Sequence, residues 1–368
     1  MAITRLGPNQ DITAAKIAGQ INFKNLWING DMSLAQRDDS STGITSTAYY
    51  TLDRVRTNIS SLGTWTQSRS TDVPTGQGFA YSLKMDCTTA DASPAASDYL
   101  NVEQRFEGRN LQYLKKGTSN AESLTLSFWV KSNKTGTYIA EIIDTDNDRN
   151  NVNAYTINSA NTWEKKTITL SGDTTGTLTN DSNVSMRATF WLGAGSDYTS
   201  GTLQSGWATR NNANRLVGQV NLADNTANEW YITGVQLEAD TSASDFEFLP
   251  YDVNYRRCLR YYEKIDYPSG GGDMIMGAAQ SSQYLECYQP LLEIKRAQPT
   301  VQVPNPSDFR INDWRGHDEQ CNGVLVSTPY TRSVIILFSK STHNLTQGYG
   351  GYMNRQQGEP YITVDAEL

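Results

Sequence analysis

Leu124-Thr-Leu-Ser-Phe-Trp-Val130 and Val184-Ser-Met-Arg-Ala-Thr-Phe-Trp-Leu192 decide the fold class. In the first, Leu124, Leu126, Phe128 and Val130 alternate with Thr125, Ser127 and Trp129. In the second, Val184, Met186, Ala188, Phe190 and Leu192 alternate with Ser185, Arg187, Thr189 and Trp191. A period of two puts one set of side chains on a buried sheet face and the other set outside. Tyr81, Leu83, Met85 and Cys87 repeat the pattern.

Further strands are expected at Tyr138 to Ile143, Trp163 to Leu170 and Trp230 to Leu237, with turns such as Asn133-Lys-Thr-Gly136 between them. Many short antiparallel strands joined by Gly/Asn/Asp/Ser turns predict an all-β chain with a jelly-roll β-sandwich over residues 25–250. After Pro250 the period changes. Tyr255, Cys258, Leu259 and Tyr262 fall on one helical face, with Asp252 as a candidate cap. We read a short helix over 252–264, in a joint at 251–265. Tyr261 points off that stripe. Gly270-Gly-Gly272 then breaks the helix. Residues 266–368 read as a second, smaller β-sandwich, with strands near Tyr284 to Tyr288, Thr300 to Val303, Val324 to Ser327, Ser333 to Phe338 and Tyr361 to Val364. Residues 1–24 are polar and read as an arm.

Hydrophobic residues make up 38% of the 368-residue chain, below the usual share of about 45–50%. Eight Trp, twenty Tyr and nine Phe still supply apolar area for a core. The net charge is −8, and no basic run of five or more occurs, which argues against nucleic acid as a partner. The start has no secretory h-region. Val334-Ile-Ile-Leu-Phe338 is far too short to span a bilayer, so no membrane insertion is expected. Cys87, Cys258, Cys287 and Cys321 are far apart, and with only two histidines a zinc site is disfavoured. Buried free thiols are the simplest reading.

Catalytic signals are weak. No Walker lysine stands in the glycine-rich loops. His317 and His343 have no nucleophile elbow near them. Paired carboxylates for glycoside hydrolysis are easy to imagine among 39 acidic residues and so mean little. No catalytic residue and no cofactor is assigned, and the chain is read as a non-enzyme. Asp144-Thr-Asp-Asn-Asp148 is a weak calcium candidate through Asp144, Asp146 and Asp148. Arg149 and Tyr155 stand where an EF-hand loop needs Gly and Glu, so a solvated turn is the simpler account. The aromatics are more informative. Trp129 and Trp191 take the phase opposite the core, while Tyr198, Trp207 and Arg210 fall in a long polar loop, 193–215. Flat aromatic faces with polar neighbours suit sugar rings. Each Trp taken singly could instead close a sandwich edge or pack between subunits.

Asn25-Leu-Trp-Ile-Asn-Gly-Asp-Met-Ser-Leu-Ala-Gln-Arg37 followed by Tyr50-Thr-Leu-Asp-Arg54 resembles the opening of many bacteriophage tail-fibre and virion surface proteins. Val55 stands where they carry Trp. Trp230-Tyr-Ile-Thr-Gly-Val-Gln-Leu-Glu238, Phe246-Glu-Phe-Leu-Pro250 and Cys258-Leu-Arg-Tyr-Tyr-Glu263 are similar to a later run of the same proteins, and Tyr361-Ile-Thr-Val-Asp-Ala-Glu-Leu368 to their finish. The middle, around Leu124 to Val130 and Trp163 to Leu170, is similar to carbohydrate-binding jelly rolls found beside glycosidases. The resemblance implies a place on the virion, contact with other virion proteins through residues 1–24, and a host surface polysaccharide as partner. A head fibre, capsid decoration or tail connector without receptor binding is the alternative, and a polysaccharide depolymerase a third. It also implies self-association, often as a homotrimer. Val334 to Phe338, apolar on both faces, needs cover on both faces, and a neighbouring copy is one source of it.

Overall fold

The computed structural model describes residues 23–267, 275–313, 318–327, 329–340, 345–355 and 360–368. Most of the arm, Gly270 to Gly272, His317 and His343 lie outside the described residues.

The first domain contains β1 (Ser40–Ile44), β2 (Ala48–Tyr49), β3 (Arg56–Ser60), β4 (Thr64–Ser70), β5 (Ser82–Thr89), β6 (Tyr99–Glu107) and β7 (Leu124–Ser132). It continues through β8 (Gly136–Asp144), β9 (Arg149–Ile157), β10 (Glu164–Leu170), β11 (Val184–Ala194), β12 (Trp207–Thr209) and β13 (Glu229–Glu238). They form two antiparallel sheets. Sheet I runs β1-β4-β5-β13-β7-β10 and sheet II runs β12-β9-β8-β11-β6-β3-β2. This is an all-β jelly-roll sandwich. The alternating residues meet as expected: Leu126, Phe128 and Val130 from sheet I face Met186, Ala188 and Phe190 from sheet II in one core. Phe128 and Phe190 touch edge to face with ring centroids 4.9 Å apart. Trp27, Trp65 and Trp230 fill the same core. Burying such side chains contributes roughly 1.5–3 kcal/mol each.

The second domain contains β14 (Tyr262–Asp266), β15 (Ile275–Ala279), β16 (Tyr284–Pro290), β17 (Thr300–Gln302), β18 (Phe309–Asp313) and β19 (Asp318–Gln320). Its last strands are β20 (Gly323–Val326), β21 (Ser333–Ser339), β22 (Gly350–Arg355) and β23 (Tyr361–Asp365). Sheet III runs β14-β23-β17 and sheet IV runs β19-β18-β22-β15-β16-β21-β20. The two share a core that includes Val334, Ile336, Phe338, Ile362 and Val364. The chain itself therefore covers one face of Val334 to Phe338. On the other face Leu337 lies opposite Leu325 and Ile335 opposite Tyr288, and both Leu325 and Tyr288 are exposed. All four cysteines are free and buried.

The joint corrects the expected helix. It spans only Tyr251–Leu259, and Tyr262 begins β14, paired with Asp365 of β23. Ladder bonds to the last strand win over helical continuation. Pro250 occupies the cap position without a side-chain bond, and Asp252 lies in the first turn. Tyr261 does not point away. It is buried with Cys258, Ile28 and Leu34, and the Arg54 guanidinium lies 3.5 Å from its ring centroid.

Segments 25–37 and 230–263, far apart in sequence, are stitched together in this joint. Asn25 accepts from Leu237 N at 3.0 Å and donates to Val235 O at 3.0 Å. Glu247 accepts from Asn25 N, and Gln236 from Glu247 N. Asn29 holds Leu34 and Asp53 through their backbones. Arg54 pairs with Glu367, and Arg260 with Glu107 at 2.7 Å. Gly30 must be glycine: a Cβ there would lie 2.1 Å from Val235 O.

Candidate functional site

Period two turns Asn101, Glu103 and Arg105 of β6 away from the core, together with Arg187, Thr189 and Trp191 of β11 and Ile139 and Glu141 of β8. Pairing aligns them in rows across sheet II. Asn101 faces Trp191 and then Ile139, Glu103 faces Thr189 and then Glu141, and Arg105 faces Arg187. This outward face has a covered half and a more open half, where the Arg56, Arg105 and Arg187 side chains are 17–20% exposed although Asn101, Glu103 and Thr189 are buried.

Residues 195–221 fold back over the covered half. Glu141, itself buried, accepts from Arg215 Nε at 2.9 Å, Arg215 Nη2 at 2.8 Å, Trp191 Nε1 at 2.8 Å and Asn150 Nδ2 at 2.6 Å. Arg215 lies 4.8 Å from the Trp191 ring. Tyr198, on the short helix Ser196–Thr199, packs against Trp191 and Tyr99 at centroid distances of 6.0 and 5.6 Å.

The open half is built around Glu103. Arg56 donates to it at 2.9 Å and Arg105 at 2.8 Å, while Arg187 approaches to 3.6 Å. Burial acts to raise the Glu103 pKa, but Arg187 and Arg105 overcome it and hold the carboxyl below its ordinary value. Burial, with Arg105 and Arg210 nearby, pushes the Arg187 pKa down against the attraction of Glu103. The Arg187 side chain is 17% exposed, and its Nε has no protein partner. Asn101 Oδ1 and Thr189 Oγ1 are also without a protein partner, in residues only 1% and 2% exposed. Arg105 Nη1 and Tyr49 Oη donate to Leu368 O at 3.1 and 3.0 Å, which closes one side.

The sequence candidates disperse. Trp191 is not a platform: it is 3% exposed, because Arg215 and Glu141 draw the loop down over it. Tyr198 helps to form that cover. Trp207 closes the β12 edge, donating through Nε1 to Ser171 O at 2.8 Å. Arg210 pairs with Asp148 at 2.5 Å. Trp129 lies on sheet I between Lys165 and Thr233, away from the others. Only Trp191 and Tyr198 meet. The three candidate calcium ligands do not converge, because Asp144 binds Lys116 at 2.5 Å, Asp146 binds Thr179, and Asp148 binds Arg210. Among the described residues no group of three His, Cys, Asp or Glu could hold a metal ion.

Two clusters escaped the sequence reading. One is the Glu103–arginine group, signalled only by charges on the polar phase of β6 and β11. The other lies on sheet I, where Trp163 donates to Asp72 at 2.9 Å and meets Tyr231 edge to face at 6.2 Å. Lys131 lies over one face of each of the Trp163 and Tyr231 rings. A groove of about 450 Å³ runs beside sheet III, lined by Arg37, Tyr262, Gln302, Tyr361 and Asp365. Its Arg37 already pairs with Asp365 and Glu367.

No family model matches the chain, and no curated protein matches it. Among solved structures it is similar to the enzymatically active domain of tailspike protein 4 from bacteriophage CBA120. That match has 15% identity over 59% of this chain and 21% of that one, with a TM-score of 0.29. A family 11 carbohydrate-binding module from Clostridium thermocellum, in complex with a β-1,3-1,4-mixed-linked tetrasaccharide, matches at 12% identity. It covers 58% of this chain and 95% of that one, with a TM-score of 0.26. A xylan-binding domain from Paenibacillus barcinonensis matches at 10% identity over 55% and 94%, with a TM-score of 0.25. The chain spans about a fifth of the tailspike structure.

Proposed function

We propose that this chain is a non-enzymatic surface protein of a bacteriophage particle, a tail fibre or appendage whose jelly roll binds host surface glycan. The observation that carries the binding reading is the open half of sheet II. Two side-chain oxygens there, Asn101 Oδ1 and Thr189 Oγ1, are buried without protein partners, Thr189 opposite Glu103 in the register and Asn101 flanking it along β6. Buried polar groups are normally paired, and each exception calls for a reason. A hydroxyl-rich ligand supplies donors for such oxygens.

The virion assignment rests on the motifs at 25–37, 230–238 and 258–263, and attachment to other virion proteins is assigned to residues 1–24. Glu103 is held ionised by arginines, which suits a binding floor better than a general acid. Thr189→Val tests the reading, because it removes only the hydroxyl. Binding to a glycan array is expected to fall severalfold, while the melting temperature holds or rises. Unchanged binding, or no binding by the wild type, overturns the reading.

A second reading, a head fibre, capsid decoration or connector, draws on sheet IV. Its outer face exposes Met276, Tyr288 and Leu325, and apolar surface of that kind suits contact with neighbouring proteins. Self-association through this face as a homotrimer belongs to our proposal. Light scattering at micromolar concentration is expected to give three chain masses, and a persistent monomer contradicts it.

A further inference from the structure

We infer that the ligand of the open half is an acidic glycan, one whose sugar units carry carboxylates. This rests on the glycan-binding reading above and names its substrate class.

The chain carries a net charge of −8, yet this face gathers positive charge. Arg56, Arg105 and Arg187 surround one carboxylate, Glu103, leaving three guanidiniums against one side-chain anion. The other polar and charged groups nearby already have partners: Arg105 also donates to Leu368 O, and Glu107 pairs with Arg260, Glu141 with Arg215 and Asp148 with Arg210. Glu103 is divided unequally. Arg56 and Arg105 both bind its Oε1, so Arg187, at 3.6 Å from Oε2, is left beyond hydrogen-bond distance. A guanidinium carries five N–H donors in a planar fork that fits a carboxylate with two parallel bonds. Arg187 is thus mostly buried, crowded by like charge and short of acceptors. A ligand carboxylate supplies both the opposite charge and the acceptors.

The neighbouring atoms fit the remainder of such a sugar. Thr189 lies two residues along β11 from Arg187, about 7 Å at strand spacing. Asn101 flanks Glu103 on β6 at the same spacing. Their oxygens are buried and lack protein donors, so side-chain movement on binding would let them accept from hydroxyls while Arg187 takes the acid. Tyr99 continues the row past Asn101 and is backed by Tyr198. Nucleic acid is the weaker fit, because a phosphate backbone needs a long basic track and the rest of this acidic protein repels one.

The test is calorimetric titration of the full chain with two probes, oligogalacturonate and oligomeric α-2,8-sialic acid. Each is compared with its carboxyl-reduced form. The acid forms are expected to bind, and reduction to weaken binding by about tenfold or more, the size of a lost charge-assisted hydrogen bond. Arg187→Gln is expected to cause a loss of about 10- to 100-fold. Arg187→Lys keeps the charge but loses the fork, so it should weaken binding without disturbing the fold. Arg256→Gln, on the exposed side of the joint helix, leaves binding unchanged. Equal binding of acid and reduced forms overturns the acidic class and keeps glycan binding. Binding of neither form of either probe overturns both. A DNA duplex bound as tightly as the acid glycans overturns the choice of ligand.

Discussion

Glu141→Gln should release the cover over sheet II. Glu141 accepts four hydrogen bonds, two of them from Arg215, and both residues are buried. Glutamine keeps the shape but removes the charge, which leaves a buried guanidinium without its counter-ion. Breaking a buried pair in this way costs about 3–5 kcal/mol. For a domain of this size each kcal/mol moves the melting temperature by about 2–4 °C, so the expected drop is roughly 6–20 °C. Calorimetry measures the drop, and hydrogen exchange should show protection lost first across residues 195–221. The double change Glu141→Leu with Arg215→Leu removes both charges and should recover much of the loss. A single-variant shift below about 2 °C, with exchange in 195–221 unaltered, would refute the idea that this pair holds the cover down.

Gly30→Ala forces a Cβ to within 2.1 Å of Val235 O, so strand β13 and the 25–30 segment must part. The denaturant midpoint should fall by the equivalent of at least about 1–3 kcal/mol. Arg54→Ala leaves the Glu367 carboxylate with the Arg37 contact at 3.5 Å alone and bares the Tyr261 ring, so limited proteolysis should cut between the two domains faster than in the wild type, with each domain still folded. Asp53 gives a pH signature. Burial, only partly offset by Gln36 and Arg37, raises its carboxyl from 3.8 to about 6. Its stabilising contribution is therefore complete below pH 3.8 and is lost as pH rises through about 6. The loss is about 3 kcal/mol at 1.36 kcal/mol per pKa unit. Unfolding measured at pH 4.5, 6 and 7.5 should show that slope flattened in Asp53→Asn. Glu103 and Glu107 act in the opposite sense: their lowered pKa values give stability that is present above the usual carboxylate pKa of 4.5 and lost as pH falls.

The strands that carry alternating aliphatic residues were legible, because one face of each meets the core directly. Val184–Ala194 and Leu124–Ser132 begin where the alternation begins. Arg149–Ile157 was not legible. Its inward Asn151 and Asn153 bond to each other rather than packing as hydrophobes, and its outward Val152 is buried only because residues 195–221 lie over it. Trp191 failed for the same reason. Its phase was read correctly as outward, but outward did not mean exposed. What buries it is a Glu141–Arg215 contact spanning 74 residues, and no local pattern encodes such a contact. The helix was drawn too long because Tyr262 continues the helical spacing, while its pairing with β23 lies a hundred residues further on.

These contrasts separate two kinds of information in the chain. The motifs that carry the family resemblance build the joint. Asn25, Gly30, Gln36, Arg54, Gln236, Glu247 and Tyr261 bond within the joint and to the last residues, and Arg54 and Tyr261 meet sheet II at Arg105 O and Glu107, beside the proposed glycan residues and not among them. The resemblance therefore speaks to architecture: how a jelly roll is fixed to a second domain. The proposed glycan face is built from Asn101, Glu103, Arg187 and Thr189, on strands whose inward residues already secure the fold. Outward positions on such strands can change without altering either core. Ligand choice is thereby uncoupled from assembly, and the same joint can carry faces of different chemistry. Exchanging Asn101, Arg187 and Thr189, while keeping Arg105 and Glu107 for their contacts with Leu368 and Arg260, should change what is bound and leave the joint's melting behaviour intact.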